Sequence, residues 1–137
     1  MTTAREYVET LAKALDNDDY ETGFATLSPD VVYEIGNERL TGPTAILASY
    51  RSASESAHRM FDEVGYDSTV FDTDEPGTFR ISYLDILTAN GETHTHNAEQ
   101  IVAASDETGI THIINVDVPG ERAKVDEFMA RHGITRE

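Results

Sequence analysis

The stretch Thr78–Val118, TFRISYLDILTANGETHTHNAEQIVAASDETGITHIINVDV, decides the architecture. Phe79, Ile81, Tyr83 and Leu87 recur at every second position, and Asp85 falls in the same phase. That period belongs to a strand with one buried face. Asn90-Gly91 is a two-residue hairpin signal, and Ser105 to Gly109 breaks the chain again. Connections this short make strand neighbours antiparallel. Upstream, Asp74-Glu75-Pro76-Gly77 separates off another extended run. The spacing therefore predicts four strands: Met60–Thr73, Thr78–Thr88, Thr93–Ala104 and Ile110–Val118.

The period changes outside this meander. Tyr7, Val8, Leu11, Ala12 and Leu15 fall at helical spacing and predict a helix over Ala4–Leu15. Asp18 or Asp19 can cap a second helix, with Tyr20, Phe24 and Leu27 inward, ending by Ser28-Pro29. Val31–Ile35 is a short strand, Gly36-Asn37 a turn, and Glu38–Thr41 its return. Thr41 or Gly42 precedes a third helix that starts at Pro43 and runs to about Ala57. A last helix spans Gly120–His132, with Val125, Phe128 and Met129 on its apolar side and Gly133 at its C-terminal cap. Helices first and a meander later predict an α+β fold. In it, N-terminal helices pack on one face of a curved antiparallel sheet, and a C-terminal helix is added.

The 137 residues suit one domain with one core. There is no cysteine, hence no disulfide and no thiolate chemistry. With 26 acidic against 10 basic residues, the net charge is −16. That charge repels phosphate backbones and anionic lipid, so no nucleic-acid or membrane partner is expected. High Asp, Glu and Thr with two Lys resembles proteins of salt-loving organisms. No secretory signal is visible in MTTAREYVET and no apolar run reaches spanning length, so a cytoplasmic location is expected.

Three stretches carry a resemblance to the nuclear transport factor 2-like superfamily, which includes SnoaL-like polyketide cyclases and ketosteroid isomerases. DNDDY (Asp16–Tyr20) resembles the acidic joint between its first two helices. LSPDVVYEIGNERLTGPTAILASY (Leu27–Tyr50) resembles the segment leading into its third helix, and IVAASDETGITHI (Ile101–Ile113) its last hairpin. The resemblance covers residues 4–118, and 119–133 is an extension of the common core. It implies that the curved antiparallel sheet is cone-shaped, with the N-terminal helices on its concave face and one pocket between them. The isomerases' oxyanion-binding Tyr falls at Leu11, and their general-base Asp at Ile35 beside Glu34. Their second Asp has Glu99 as its nearest counterpart, so one of three roles survives.

The segment THTHNAEQ (Thr93–Gln100) poses the chemical question. Residues two apart on a strand share a face. If Ala104 and Ile110 flank the turn in register, Asn97 faces Asp117 and Glu99 faces Asn115. The resemblance then turns Thr95, Asn97, Glu99, Thr111, Ile113, Asn115 and Asp117 into the cone. The opposite face holds His94, His96, Gln100, Val102, Ile110, His112, Ile114, Val116 and Val118, and its apolar last-strand half equally suits a core or a dimer surface. A one-residue slip swaps the faces. His94 and His96 offer two imidazoles, but a zinc needs a third protein ligand. His112 lies about six positions from His96, roughly 20 Å at strand rise. Asp85 is the other candidate. The simpler reading is two histidines on a sheet rim, with no metal.

Glu99 and Asp85 are the candidate acid/base groups, since a carboxylate in an apolar cone titrates near neutral pH. Asn97, Asn115, Asp117, Tyr33, His96 and His112 are the candidate substrate-binding residues. Tyr33 and Glu34 point opposite ways, so only one can line the cavity. No hydrolase elbow, phosphate loop or dinucleotide fingerprint is present. The expected protein is a homodimer that binds a small apolar organic molecule. Without a cofactor, it would isomerise, cyclise or dehydrate that molecule. The rival is a non-catalytic ligand-binding or dimerisation module.

Overall fold

The computed structural model describes residues 1–137. Thr3 opens helix α1 (Ala4–Asp16) with a reciprocal cap. Its hydroxyl accepts from the Glu6 N–H and the Glu6 carboxylate accepts from the Thr3 N–H, each at 3.1 Å. Val8, Leu11 and Ala12 then share one buried face. Asp19 caps α2 (Tyr20–Phe24) by accepting from the Thr22 N–H.

The second helix is shorter than its sequence suggests, and Phe24 is exposed rather than inward. Strand β1 (Leu27–Ile35) already begins at Leu27. Tertiary pairing explains this: Leu27 lies beside Ile110, and the Ile110 N–H donates to the Thr26 carbonyl at 2.9 Å. Pro29 therefore sits inside a strand. It lies where the ladder is irregular between Leu27 and Val32, the place a residue without an N–H is tolerated.

β2 (Glu38–Thr41) pairs back on β1, and Gly42-Pro43 starts α3 (Pro43–Met60). The meander follows as β3 (Glu63–Asp72), β4 (Thr78–Ala89), β5 (Glu92–Ser105) and β6 (Gly109–Val116). Helix α4 (Glu121–Arg131) ends the fold. The β4–β5 turn has left-handed Asn90 (φ 50°) and Gly91 (φ 81°), the geometry the dipeptide predicts. Strand order is β2-β1-β6-β5-β4-β3. The sheet is mixed rather than wholly antiparallel, because β1 runs parallel to β6. No hairpin joins those two strands, so nothing local sets their direction.

The predicted register holds only at the last turn. Ala104 pairs with Ile110, but Ala103 pairs with His112, leaving Thr111 as the extra residue of a bulge. Beyond it Glu99 lies opposite Val116 and Gln100 opposite Asn115, one residue from the expected pairs. The bulge lets Ile110 and Ile113 both turn inward to full burial, while Ile114 is left exposed.

Helices α1 to α3 cover the concave face over a core that includes Val8, Leu11, Val31, Ile46, Ile81, Val102, Ile110 and Ile113. Helix α4 covers the far end of the same face. Val125, Phe128 and Met129 join Phe61, Leu87 and Ala89 there in a second, smaller core. No helix is long and apolar enough to cross a membrane.

Candidate functional site

The inward face of β5 is its even-numbered one: Gln100, Val102 and Ala104 are buried. Of the residues expected in the cone, Thr95, Asn97 and Glu99 on β5 are therefore turned away from it. Glu99 pairs with Arg80 on the outer face, Oε2 to Nη1 2.8 Å. Asn97 donates to the Ser82 hydroxyl at 2.8 Å and to the Tyr83 carbonyl. His112 also faces outward, where its ring bonds Glu34 at 2.5 Å. Asp117 is exposed just past the end of β6. Asn115 lies opposite Gln100, so it shares the inward face, but it does not line the cavity. Aligning Glu99 on the isomerase carboxylate turned the odd-numbered face of β5 inward, and the burial of Gln100, Val102 and Ala104 on the even-numbered face overturns that orientation.

The cavity lies between α1, α3 and the sheet and has a volume of about 250 Å³. Leu15, Asp16 and Asp18 close it from the end of α1, and Tyr20 from α2. Helix α3 contributes Tyr50, Ala53, Ser54 and Ala57. The sheet contributes Tyr66, Tyr83, Asp85, Leu87, Ala98 and Gln100. These sheet residues converge because Tyr66 pairs with Asp85 and Tyr83 with Ala98, and opposite residues share a face.

Asp85 is the predicted acid/base residue that does reach the cavity. Burial, with a further push from the like charge of Asp16, raises its pKa from 3.8 to about 6. The Asp16 carboxyl is also raised, chiefly by burial, although Ser68 donates to its Oδ2 at 2.6 Å. Its Oδ1 and the Tyr83 hydroxyl are buried with no hydrogen-bond partner. Burial pushes the Tyr83 phenol far above its ordinary range, so it stays a proton donor.

Two polar chains frame these groups. Tyr50 donates to Gln100 Oε1 at 2.9 Å, and Gln100 Nε2 donates to the Tyr33 hydroxyl at 2.8 Å. The Tyr33 and Tyr50 rings stack at 5.4 Å. Tyr33 thus backs the cavity wall rather than lining it, and burial pushes its phenol up to about 12. On the other side Tyr20 and Ser54 both donate to Asp18 Oδ1 at 2.8 Å, and Ser54 bonds the Tyr66 hydroxyl at 2.9 Å.

No family model and no curated protein matches the sequence. Solved structures do resemble this one. A protein assigned as a polyketide cyclase from Pseudomonas putida superposes with a TM-score of 0.65 at 20% identity, over 90% of this chain and 98% of its own. The Δ5-3-ketosteroid isomerase from a Mycobacterium species gives 0.61 at 16% identity, over 88% and 98%. A Mycobacterium tuberculosis protein in complex with estradiol-17β-hemisuccinate gives 0.63 at 16% identity, also over 88% and 98%. The fold is the nuclear transport factor 2-like cone. In this cone the helix expected as an extension, α4, lies against β5 and supplies part of the end wall.

Sequence reasoning missed Asp16, Tyr50, Tyr66, Tyr83 and Gln100 as site residues. Signals in the sequence pointed to two of them. Tyr83 shares the strand phase of Asp85. Gln100 interrupts a buried alternation with Val102 and Ala104, where an uncharged amide needs partners. His96 lies opposite Asp85 across the β4–β5 ladder, and His94 opposite Leu87. Both histidines are therefore on the concave face, under α4 and beyond the cavity lining.

Proposed function

We propose that this chain binds a small apolar organic molecule in the cone and moves a proton on it without a cofactor, in an isomerisation, cyclisation or dehydration. The observation that carries this reading is Asp85. It is a carboxyl group in an apolar wall whose pKa of about 6 suits proton exchange near neutrality. Asp85 would take a proton from an activated C–H and return it elsewhere on the substrate. The Tyr83 hydroxyl would donate to the oxygen on which negative charge develops. Half-buried Asp16 beside Asp85 puts a second carboxyl with a raised pKa in the same site. The cavity lies just below the usual range of about 300–1,000 Å³ for ligand sites, which favours a monocyclic or bicyclic substrate over a steroid.

The test is turnover of a panel of small enolisable cyclic ketones. Asp85→Asn should lower kcat by about 10²–10⁴-fold, the usual worth of a positioned acid/base. Glu99→Gln, altered on the outer face, should leave turnover of the same ketone unchanged. Equal turnover by wild type and Asp85→Asn would remove the proton-transfer reading and leave a binding module.

The same reading includes a homodimer through the outer face of the sheet. Ile86 and Ile114 are exposed there, at 38% and 40%. Two large aliphatic side chains on an uncovered sheet suit a self-complementary contact.

A further inference from the structure

We propose that His94, His96 and Glu121 form a divalent-metal site, of the kind that takes zinc, joining α4 to the sheet. The inference does not rest on the proton-transfer reading above, although the site adjoins Asp85. One donor atom from each of these three residues lies within 4.8 Å of the other two. Residues 94 and 96 supply two imidazoles from one face of β5, and Glu121 supplies a carboxylate from the first turn of α4. This is the third ligand that the H-x-H pair lacks within its own strand, and it comes from 25 residues away along the chain.

The polar atoms themselves point to a ligand. His94 Nε2, His96 Nδ1 and Glu121 Oε2 are all buried and make no hydrogen bond. Three such atoms in one place is unusual, because buried polar groups are ordinarily paired. Two neutral imidazoles and one carboxylate are a donor set that zinc takes in three-ligand sites, with the fourth position left open. Zinc bonds of about 2.0–2.1 Å place tetrahedral donors roughly 3.4 Å apart, so small rotations would close the present spacing.

The surroundings hold the ligands in place. The His94 ring stacks on Phe128 of α4, with centroids 5.2 Å apart. Phe128 is itself 1% exposed and packs on Phe61. His96 pairs across the ladder with Asp85, so the ion would sit at the end of the cavity wall. A metal here would fasten α4, whose N-cap Gly120 makes no side-chain cap, to the sheet it covers.

The experiment is calorimetric titration of the chelator-treated 137-residue chain with zinc chloride at physiological ionic strength. Thermal unfolding is followed with and without the ion. Wild type should bind one zinc per chain and unfold at a higher temperature with it. Glu121→Gln, nearly isosteric at a helix N-terminus, should weaken binding by about tenfold or more, since loss of even an outer-shell partner costs about that much. His96→Ala should abolish it, and His58→Ala, away from the cluster, should bind as wild type does. No stoichiometric uptake by wild type would overturn the site and mean that the three groups satisfy one another by rotation. Equal affinity in wild type and Glu121→Gln would also overturn it, placing zinc on the acidic surface or on the histidines alone. Should His96→Ala fail to fold, Glu121→Gln decides the matter by itself.

Discussion

Asp85, the residue proposed to move the proton, is held in the fold at a cost to stability. Its folded pKa of about 6 lies above its ordinary value of 3.8. Its favourable contribution is therefore complete below about pH 3.8 and is lost as pH rises through about 6. The difference amounts to at most about 3 kcal/mol, reduced by whatever water reaches the half-buried carboxylate. Asp85→Asn removes the charge and keeps the shape. Urea unfolding at pH 8 should show the variant more stable than wild type by about 1–3 kcal/mol, and at pH 4 the gap should shrink toward zero. A gap that is the same at both pH values would mean that Asp85 is not a strained carboxylate.

Among the elements, α4 is the one whose role its own sequence describes least. Its apolar side is narrow, yet Phe128 is fully buried and contacts Phe61, His94 and His132. That packing makes α4 part of the fold and not an appendage. Phe128→Ala should cost about 3–5 kcal/mol, as large buried truncations do. The loss should appear as a lower urea midpoint and as faster amide exchange in α4 and in β5 around His94. A cost below about 1 kcal/mol would show that the helix end is loosely held. The β5–β6 bulge also acts at this scale. One extra residue, Thr111, sends Ile110 and Ile113 into the core and Ile114 to the surface.

At the scale of the molecule, charge and the uncovered sheet face act together. Sixteen excess negative charges repel one another within the chain and between chains. The exposed ion pairs oppose this only weakly, each contributing about 0–1 kcal/mol. Self-repulsion should therefore win at low salt. The melting temperature should rise as sodium chloride increases from about 0.05 M to about 1 M, where the Debye length falls to about 3 Å. The proposed dimer should tighten over the same range, as read by sedimentation, and Ile114→Glu should give monomers at every salt concentration. A dimer unaffected by Ile114→Glu would place the contact elsewhere.

Most elements were legible in the sequence because their causes are local. Period-two apolar residues in Thr78–Thr88, the Asn90-Gly91 turn, the Asp19 cap and Gly42-Pro43 each act within a few residues, and the chain forms those elements at nearly the predicted bounds. Asp85 was legible for the same reason: its phase along β4 places it on the buried face whatever its partners do. The second helix was misjudged because β6 captures the backbone at Thr26 and Leu27, a contact across more than eighty residues. The placements of Glu99, Gln100 and Glu121 were decided only in three dimensions. A bulge of one residue, invisible in the alternation itself, decides which face of β6 lies beside that of β5. No local pattern could bring Glu121 to the two histidines, since only the packing of α4 over β5 does so. Local sterics and turn chemistry thus wrote the elements into the sequence, whereas strand register and helix docking, which depend on distant side chains meeting, decided the site.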